Sequence, residues 1–165
     1  MTGYLGRNLC LGLTEAWHQV VGTSRDPSNA KVPGLLQVYA WEPSVQPLPA
    51  EALRGVDAVV HLVGEPVVGR WTVAKKRRLY DSRVESARNI IRGIEASSFH
   101  PKVLVSGSAV GYYGNRGDQE LTESHVRGDD FLAGLTEDWE QAVSEAEMLG
   151  IRIVNSRTGL VVGSG

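Results

Sequence analysis

The residues best suited to chemistry lie in one stretch, Lys102–Gly114, which reads KVLVSGSAVGYYG. It opens with a short apolar run, which predicts a strand buried on both faces. Ser106 and Ser108 follow this run, and then Tyr112 and Tyr113. Open α/β folds bind ligands at the carboxyl edge of the sheet, so these hydroxyls are candidates for catalysis or for contact with a cofactor. Small residues also allow tight packing at a strand end, and the pattern leaves both interpretations open.

A glycine turn at the start of the chain is the second candidate. Gly3 and Gly6 stand three apart, and backbone N–H groups at a helix that begins in such a turn can hold a pyrophosphate. The two residues fit the last glycines of a dinucleotide fingerprint, with a plain turn and packing role as the alternative. Only Met1 and Thr2 precede Gly3, so the strand that such a fingerprint needs is absent. The apolar residues that follow stand at helical spacing and predict a helix that begins directly from the glycine turn; they are Leu5, Leu9, Leu13 and Trp17.

Arg25 follows a predicted short strand, Gln19–Ser24, at about the distance where dinucleotide-binding folds select their cofactor. An acidic side chain there binds a ribose hydroxyl, whereas a cation accommodates a 2′-phosphate. Because Arg25 comes before Asp26, the sequence favours NADP, with NAD still possible. Ordinary turn polarity is the alternative explanation of this pair.

Strands and helices alternate along the whole chain, which predicts a parallel sheet covered by helices on both faces. The predicted fold class is therefore α/β, a doubly wound, Rossmann-like sheet in one domain over residues 1–165. Asp129 or Asp130 is the predicted cap of the last helix and Gly150 its end. The remaining predicted strands are Leu36–Trp41, Val56–Val63 and Ile151–Asn155, and the predicted helices are Thr72–Ala96, buried through Leu79, Val84, Ile90, Ile91 and Ile94, and Phe131–Leu149.

Three further residues are predicted to be structural. His61 interrupts an apolar strand, and a histidine in that setting is more often a hydrogen-bonded core residue than a catalyst. Within the last helix, Trp139 is predicted to lie in the core and Glu140 on the surface. No Ser-His-Asp or Cys-His arrangement stands out by spacing, so nothing specific indicates a hydrolase.

The bulk composition excludes several classes of partner. A formal charge of −2 gives no electrostatic reason to expect nucleic acid or an acidic membrane surface. Cys10 is the single cysteine and the four histidines lie far apart, so we expect neither disulfides nor a metal site. No apolar run is long enough to span a bilayer, and the N-terminus lacks a secretory layout. A cytoplasmic protein is expected, and its oligomeric state is open.

With these pieces in place, the chain resembles the extended short-chain dehydrogenase/reductases of the NAD(P)-dependent epimerase/dehydratase family. Within that family it is similar to the atypical SDR39U1/YfcH-like branch. The resemblance covers essentially the whole chain, and SAVGYYG with a downstream Trp-Glu is its most specific part. The matching segments are Thr2–Leu9, Thr23–Arg25, Trp41–Pro43, Asp57–Pro66, Gly69–Trp71, Asp81–Val84, Ser106–Gly114, Phe131–Glu140 and Ser156–Gly163.

The resemblance implies a role for particular positions. It implies that Arg25 meets the adenosine ribose or its phosphate, and that Ser106 and Ser108 approach the nicotinamide. Ser108 matches the catalytic Ser/Thr of the superfamily. It implies that four residues lie beneath the pyrophosphate, Gly3, Tyr4, Leu5 and Gly6. It also implies that three residues at and just beyond the end of the predicted strand Val56–Val63 line the cofactor, Leu62, Val63 and Gly64.

The catalytic Tyr-x-x-x-Lys of the superfamily is absent. In that pair, the lysine lowers the pKa of the phenol so that it exchanges a proton with the substrate at neutral pH. Aligned on Glu140, the two positions fall at Leu132 and Thr136, which cannot do this work. Tyr112 or Tyr113 is the candidate for a substitute acid, and Tyr113 is the preferred one.

Compared with the family pattern, the chain is expected to lack the first strand and a C-terminal substrate domain. The first strand would be central, between the strands at Gln19 and Val56, so its absence should leave unpaired backbone at the cofactor crevice. The predicted function is the nucleotide-binding part of an epimerase-like oxidoreductase with an unknown small-molecule substrate. The alternatives are a non-catalytic NADP-binding regulatory module and an inactive truncated gene product.

Overall fold

The computed structural model describes residues 3–163, so Met1 and Thr2, the start of the Thr2–Leu9 match, lie outside the described residues, as do Ser164 and Gly165. The predicted alternation of strands and helices holds from the third strand onwards, whereas only short 3-10 turns, Pro27–Asn29 and Ala50–Leu53, lie between the first three strands. The strands are β1 (Val20–Ser24), β2 (Leu35–Ala40), β3 (Ala58–His61), β4 (Val103–Ala109) and β5 (Arg152–Thr158). The helices are α1 (Tyr4–Glu15), α2 (Val73–Tyr80), α3 (Ser86–Glu95) and α4 (Phe131–Ser144).

The strands form two parallel sheets. One pairs β1 with β2, and the other has the order β3-β4-β5. Within residues 3–163, β1 and β3 do not pair with each other, so each keeps one edge without a strand partner. This is where the sequence predicts an interruption of the sheet, and the fold class is the predicted α/β class with parallel strands.

The described residues form two apolar cores, and Tyr39 of β2 packs against the larger one. The smaller core joins Cys10 of α1 to Val20 of β1 and to Val32. The larger one surrounds Leu104 of β4, which is almost completely buried, and collects apolar side chains from the helices that follow β3 and β4. The five residues predicted to form the buried stripe of the long helix all lie in this core, and they are Leu79, Val84, Ile90, Ile91 and Ile94.

Of the apolar residues that stand at helical spacing from Leu5 to Trp17, Leu13 packs against the smaller core, but Leu5 and Trp17 do not. Trp17 is 94% exposed and takes a left-handed backbone conformation just beyond the helix, with φ of 65°. Leu5 is also exposed, whereas Gly6 and Cys10 are the buried residues of α1. The buried face is therefore rotated by one position, because a short helix that begins at a glycine turn packs its small residues against the sheet.

The predicted helix Thr72–Ala96 contains a π-helical turn, Asp81–Glu85, between α2 and α3. Thr72 caps α2 by accepting a hydrogen bond from the backbone N–H of Lys75. Asp130 does the same for α4, at the backbone N–H of Ala133, and Gly150 ends the following turn with φ of 75°. None of the helices in residues 3–163 has the length and apolar character that crossing a bilayer requires.

Gly93 of α3 lies directly against the backbone of Leu48. A Cβ at Gly93 would overlap the Leu48 carbonyl oxygen and stand 2.7 Å from its Cβ. Gly134 of α4 has no atom within 4 Å of the corresponding position. We expect Gly93→Ala to lower the free energy of unfolding by about 2 kcal/mol through overpacking. Gly134→Ala, the matched control, should raise it by roughly 0.5–1 kcal/mol, and urea unfolding measures both. Equal effects of the two substitutions would contradict this packing.

Candidate functional site

The carboxyl ends of β3 and β4 lie side by side. His61, the last residue of β3, pairs in register with Ser106 of β4. Beyond His61 the chain continues through Leu62 and Gly64, which are exposed at this edge. Ser106 is fully buried and donates a hydrogen bond to the carbonyl of its neighbour Gly107, 2.9 Å away. The strand ends that the sequence analysis selected therefore share one edge of the sheet.

The glycine turn lies within reach of the same edge. Gly163 lies against the Tyr4 ring, so closely that a Cβ there would overlap the phenol oxygen. Gly163 is five positions after Thr158, the end of β5, and five extended residues span at most about 18 Å. Thr158 Oγ1 in turn donates to the backbone oxygen of Ser108, at 3.2 Å. The start of α1 thus lies within reach of the carboxyl ends of β4 and β5.

Arg25 and Asp26 follow the end of β1 and have different surroundings. The Asp26 carboxylate accepts hydrogen bonds from Ser28 Oγ and Asn29 Nδ2, both at 2.6 Å, and from the backbone N–H of Asn29. These bonds from Ser28 and Asn29 lower the pKa of Asp26, so the carboxylate is ionised and caps the next turn. Arg25 is exposed, and its guanidinium makes no hydrogen bond or ion pair with the described residues.

A four-residue polar network lies at the end of β4. Ser108 Oγ donates to Glu140 Oε1 at 2.5 Å. Arg157 of β5 binds the same carboxylate with two parallel hydrogen bonds, of 2.9 Å to Oε1 and 2.8 Å to Oε2. A third Arg157 hydrogen bond, of 2.9 Å, reaches the hydroxyl of Tyr113. The guanidinium also stacks over the ring of Tyr112, 3.6 Å from its centroid.

The network is shielded from solvent and electrically balanced. Ser108 is 4% exposed, and the side chains of Arg157 and Glu140 are 18% and 14% exposed. Partial burial opposes ionisation of Glu140, but the hydrogen bonds from Arg157 and Ser108 outweigh it and leave the pKa below its usual range. The hydrogen bond to Glu140 raises the pKa of Arg157. Both groups are charged at neutral pH and neutralise each other.

The sequence-based assignment of Glu140 to the surface is wrong, whereas Trp139 lies in the core as predicted. Arg157 is not among the predicted site residues, because the predicted last strand ends at Asn155, whereas β5 continues to Thr158. Both residues lie in segments that carry the family resemblance. The signal available in the sequence was a charged residue two positions after the predicted strand, whereas its register with Ser108 is visible only in the structure.

The positions of the absent Tyr-x-x-x-Lys pair are occupied by packing residues. Thr136 is buried and donates its hydroxyl hydrogen bond to the Leu132 carbonyl at 2.8 Å, within α4. Leu132 packs beside Gly111, whose Cβ position would lie 3.5 Å from the Leu132 Cβ. Of the two tyrosines left as candidates, Tyr113 has its hydroxyl in the polar network, whereas the ring of Tyr112 forms the platform for Arg157.

His61 is a hydrogen-bonded core residue, as predicted. It is 2% exposed, its Nε2 lies 2.8 Å from Ser86 Oγ, and Trp139 Nε1 donates to its Nδ1 at 3.4 Å. Ser86 in turn donates to the carbonyl of Ser82. Burial, and then the positive charge of Arg83, lower the pKa of His61 to about 4. The imidazole is neutral at physiological pH and ties β3 to α3 and α4.

Arg83 lies in the π-helical turn and supports the loop after β3. Its Nη1 donates to the Glu65 carbonyl at 3.0 Å, and a Cβ at Gly64 would stand only 3.2 Å from its Nη2. The Glu65 carboxylate pairs with Lys75 instead, at 2.8 Å. Burial lowers the pKa of Arg83, and its guanidinium lies 5.5 Å from the Trp139 ring centroid. The π-helical turn thus places the Arg83 guanidinium next to Gly64.

An open cleft of about 610 Å³ adjoins the network. Tyr113, Glu140 and Arg157 form one wall, and Leu121–Glu123 and Val154–Ser156 contribute most of the rest. Within residues 3–163, no group of three or more His, Cys, Asp or Glu side chains is placed to hold a metal ion. The cleft therefore offers hydroxyl, amide and paired ionic groups to a ligand.

A sequence profile of the NAD dependent epimerase/dehydratase family matches residues 1–165, so the chain belongs to this family. It is 33% identical over 163 residues to the epimerase family protein YfhF of Bacillus subtilis, covering 98% of this chain and 53% of that protein. It is 31% identical over 173 residues to the chloroplastic SDR39U1 homologue of Arabidopsis thaliana, covering 98% of this chain and 47% of that protein. The chain thus spans about half the length of these relatives.

Solved structures agree with the fold. The human epimerase family protein SDR39U1, solved with NADPH, superposes with a TM-score of 0.78 at 30% identity, over 99% of this chain and 53% of that one. A nucleoside-diphosphate sugar epimerase from Corynebacterium glutamicum gives a TM-score of 0.77 at 33% identity, over 97% of this chain and 32% of that one. The two parallel sheets therefore form part of a Rossmann fold of the epimerase type.

Neutral, buried His61 makes stability depend on pH. Its pKa of about 4 in the folded protein lies below the ordinary 6.5, so the unfolded state takes up the proton first. Stability is fully present above pH 6.5 and is lost as pH falls towards 4. We expect the free energy of unfolding to drop by roughly 2 kcal/mol between pH 7 and pH 5 from this group.

Urea unfolding of the wild type and His61→Gln at both pH values measures this contribution. The substitution should remove that part of the pH slope, whatever its effect on stability at neutral pH. His100→Gln is the control, because His100 is exposed and its loss should leave the slope unchanged. An unchanged slope in His61→Gln would contradict the neutral assignment.

Proposed function

We propose that this chain is the nucleotide-binding part of an epimerase-like oxidoreductase that prefers NADP over NAD. The observation that carries the preference is the contrast between Arg25 and Asp26. The Asp26 carboxylate already accepts hydrogen bonds from Ser28 and Asn29, so it is not available to bind a ribose hydroxyl. Arg25 stays exposed at the end of β1 and suits a 2′-phosphate.

The relatives support the same choice. The human SDR39U1 structure contains NADPH, and this chain resembles that protein in sequence as well as in fold. A UDP-glucuronic acid 4-epimerase from Bacillus cereus was solved with NAD, but at 17% identity that likeness concerns the fold alone. The cofactor preference of this chain therefore rests on its own Arg25.

The residues at the sheet edge fit a dinucleotide. Gly3 caps α1 without a side chain, and nothing lies within 4 Å of its Cβ position, so a pyrophosphate can approach the backbone. The first N–H groups of a helix have no partner within the helix, so those of Tyr4, Leu5 and Gly6 suit an anion. Leu62, Val63 and Gly64 would line the cofactor beyond β3, and Ser106 would lie behind its nicotinamide end.

The reaction we propose is the oxidation or reduction of a small hydroxylated or carbonyl compound. A bound dinucleotide would supply the hydride acceptor or donor. Ser108 and Tyr113 are the proposed catalytic residues, since Tyr113 lines the open cleft and Ser108 belongs to the same polar network. Tyr113, hydrogen-bonded to a cation, is the proposed substitute for the absent tyrosine and lysine pair.

A non-catalytic NADP-binding module is the second candidate. It is favoured by Leu132 and Thr136, because these residues fill the positions of the family's acid pair with side chains that only pack. Cofactor oxidation with a panel of sugars, aldehydes and ketones separates the two candidates. Turnover that Tyr113→Phe abolishes would support the enzyme, whereas dinucleotide binding without turnover across the panel would support the module.

The 165-residue chain should bind dinucleotides more weakly than micromolar. Within residues 3–163, β1 and β3 do not pair with each other, so the sheet is interrupted beside the proposed cofactor site, and we expect this interruption to cost binding free energy. Calorimetric titration with NADPH and with NADH measures both affinities. A micromolar dissociation constant for either would show this prediction to be wrong.

Arg25→Gln tests the cofactor preference. A charge-assisted hydrogen bond contributes about 1.5–3 kcal/mol, so the substitution should weaken NADPH binding roughly tenfold or more and leave NADH binding unchanged. Ligand-observed NMR at millimolar dinucleotide measures the ratio even when binding is weak. Arg54→Gln removes one positive charge from an exposed site near Phe99 and serves as the control. Equal loss of both cofactors in Arg25→Gln would contradict the assignment.

A further inference from the structure

The polar network fixes the direction of its hydrogen bonds. The hydrogen bonds from Arg157 and Ser108 keep the Glu140 carboxylate ionised, and an ionised carboxylate only accepts. Ser108 must therefore be the donor in its 2.5 Å contact with Glu140 Oε1. A guanidinium only donates, so the Tyr113 oxygen must accept from Arg157 Nη1. Ser108 is therefore fixed as a donor to Glu140, and Tyr113 is fixed as an acceptor from Arg157.

We infer that Glu140 and Arg157 are positioning residues that make Ser108 a hydrogen-bond acceptor and Tyr113 a hydrogen-bond donor towards a ligand. With its proton held by Glu140, Ser108 keeps only lone pairs for another partner. With a lone pair held by Arg157, Tyr113 keeps its O–H proton. This inference rests on the proposed function for its ligand, but the hydrogen-bond directions rest only on the four side chains.

The geometry favours this role over simple packing. Both Glu140 oxygens are engaged by the parallel bonds of Arg157, an arrangement that fixes the carboxylate plane more strongly than a single contact does. The ring of Tyr112 holds the guanidinium from a third direction, 3.6 Å from the ring centroid. Ser108 and Arg157 are also paired in register on β4 and β5. The two hydroxyls are therefore held by groups that have little freedom to move.

This arrangement defines the chemical class of the ligand. A carbonyl oxygen needs a donor, so it should approach Tyr113 and not Ser108. A ligand hydroxyl or amide N–H needs an acceptor, which Ser108 supplies. The charges of Glu140 and Arg157 cancel, so the part of the ligand beside the network should be electrically neutral. The expected ligand therefore presents an uncharged carbonyl or hydroxyl group to the network.

Proton NMR of the protein without ligand tests the hydrogen-bond directions. A hydroxyl proton in a short bond to a buried carboxylate should resonate downfield and exchange slowly with water. We expect one such signal at neutral pH, assigned to Ser108 by its loss in Ser108→Ala. In Glu140→Gln it should move upfield and exchange at least ten times faster. Absence of the signal from the wild type, or its unchanged exchange in Glu140→Gln, would overturn the inference.

Tyr113 provides a second and independent measurement. Arg157→Gln should shift the ring-carbon resonance next to the Tyr113 oxygen, and Arg157→Lys should restore most of that shift because it keeps a cationic donor. If Glu140→Gln or Arg157→Gln fails to fold, Tyr113→Phe and Ser108→Ala leave the ion pair intact and report the same bonds. If Arg157→Gln leaves the Tyr113 ring-carbon resonance unchanged, the assignment of Tyr113 as an acceptor from Arg157 is overturned.

These measurements need no dinucleotide, so their outcome is separate from that of the cofactor titration. If the protein binds NADPH no more tightly than NADH while the hydroxyl signals behave as expected, the proposed function alone is rejected. Normal NADPH preference with a freely exchanging Ser108 proton would reject the inference alone.

Discussion

Parallel pairing of β4 between β3 and β5 is the constraint on which the site depends. Parallel strands bring their carboxyl ends to the same edge of a sheet, so the pairing of His61 with Ser106 and of Ser108 with Arg157 decides which side chains meet. An antiparallel neighbour would have carried Arg157 to the far end of Ser108's strand. The polar network, the open cleft and the loop after β3 all follow from this pairing.

The electrostatics of the site follow from burial. Glu140 and Arg157 are mostly shielded from water, where an unpaired charge would be costly, so each requires the other. The partly buried Arg83 guanidinium is stabilised differently, by carbonyl oxygens and by the Trp139 ring. The nearby Glu65 carboxylate pairs with Lys75. Neutral His61 completes the pattern. The edge of the sheet thus holds two cations, of which only one is neutralised by a paired carboxylate.

The division into two sheets separates two parts of the proposed cofactor site. The glycine turn and Arg25 belong to the unit of α1, β1 and β2, with its small core around Cys10. Ser106, Ser108 and the loop after β3 belong to the larger unit. A dinucleotide long enough to reach from Arg25 to Ser108 would contact both units, so its binding would couple two sheets that have no strand pairing between them in residues 3–163.

Sequence periodicity and turn chemistry alone determined much of the fold, including the α/β class with parallel strands, a cap at Asp129 or Asp130, the Gly150 stop and the buried stripe from Leu79 to Ile94. These features depend on residues close together in the chain, which is why they can be read without a structure. Local pattern was incomplete for α1, where Gly6 and Cys10 are buried, Leu13 is partly buried and Leu5 is exposed. The sequence also identified Ser108 and Tyr113 as candidates. Only the tertiary structure joined them through Glu140 and Arg157, because residues 108 and 140 are brought together by a helix packed on the sheet and residues 108 and 157 by strand register.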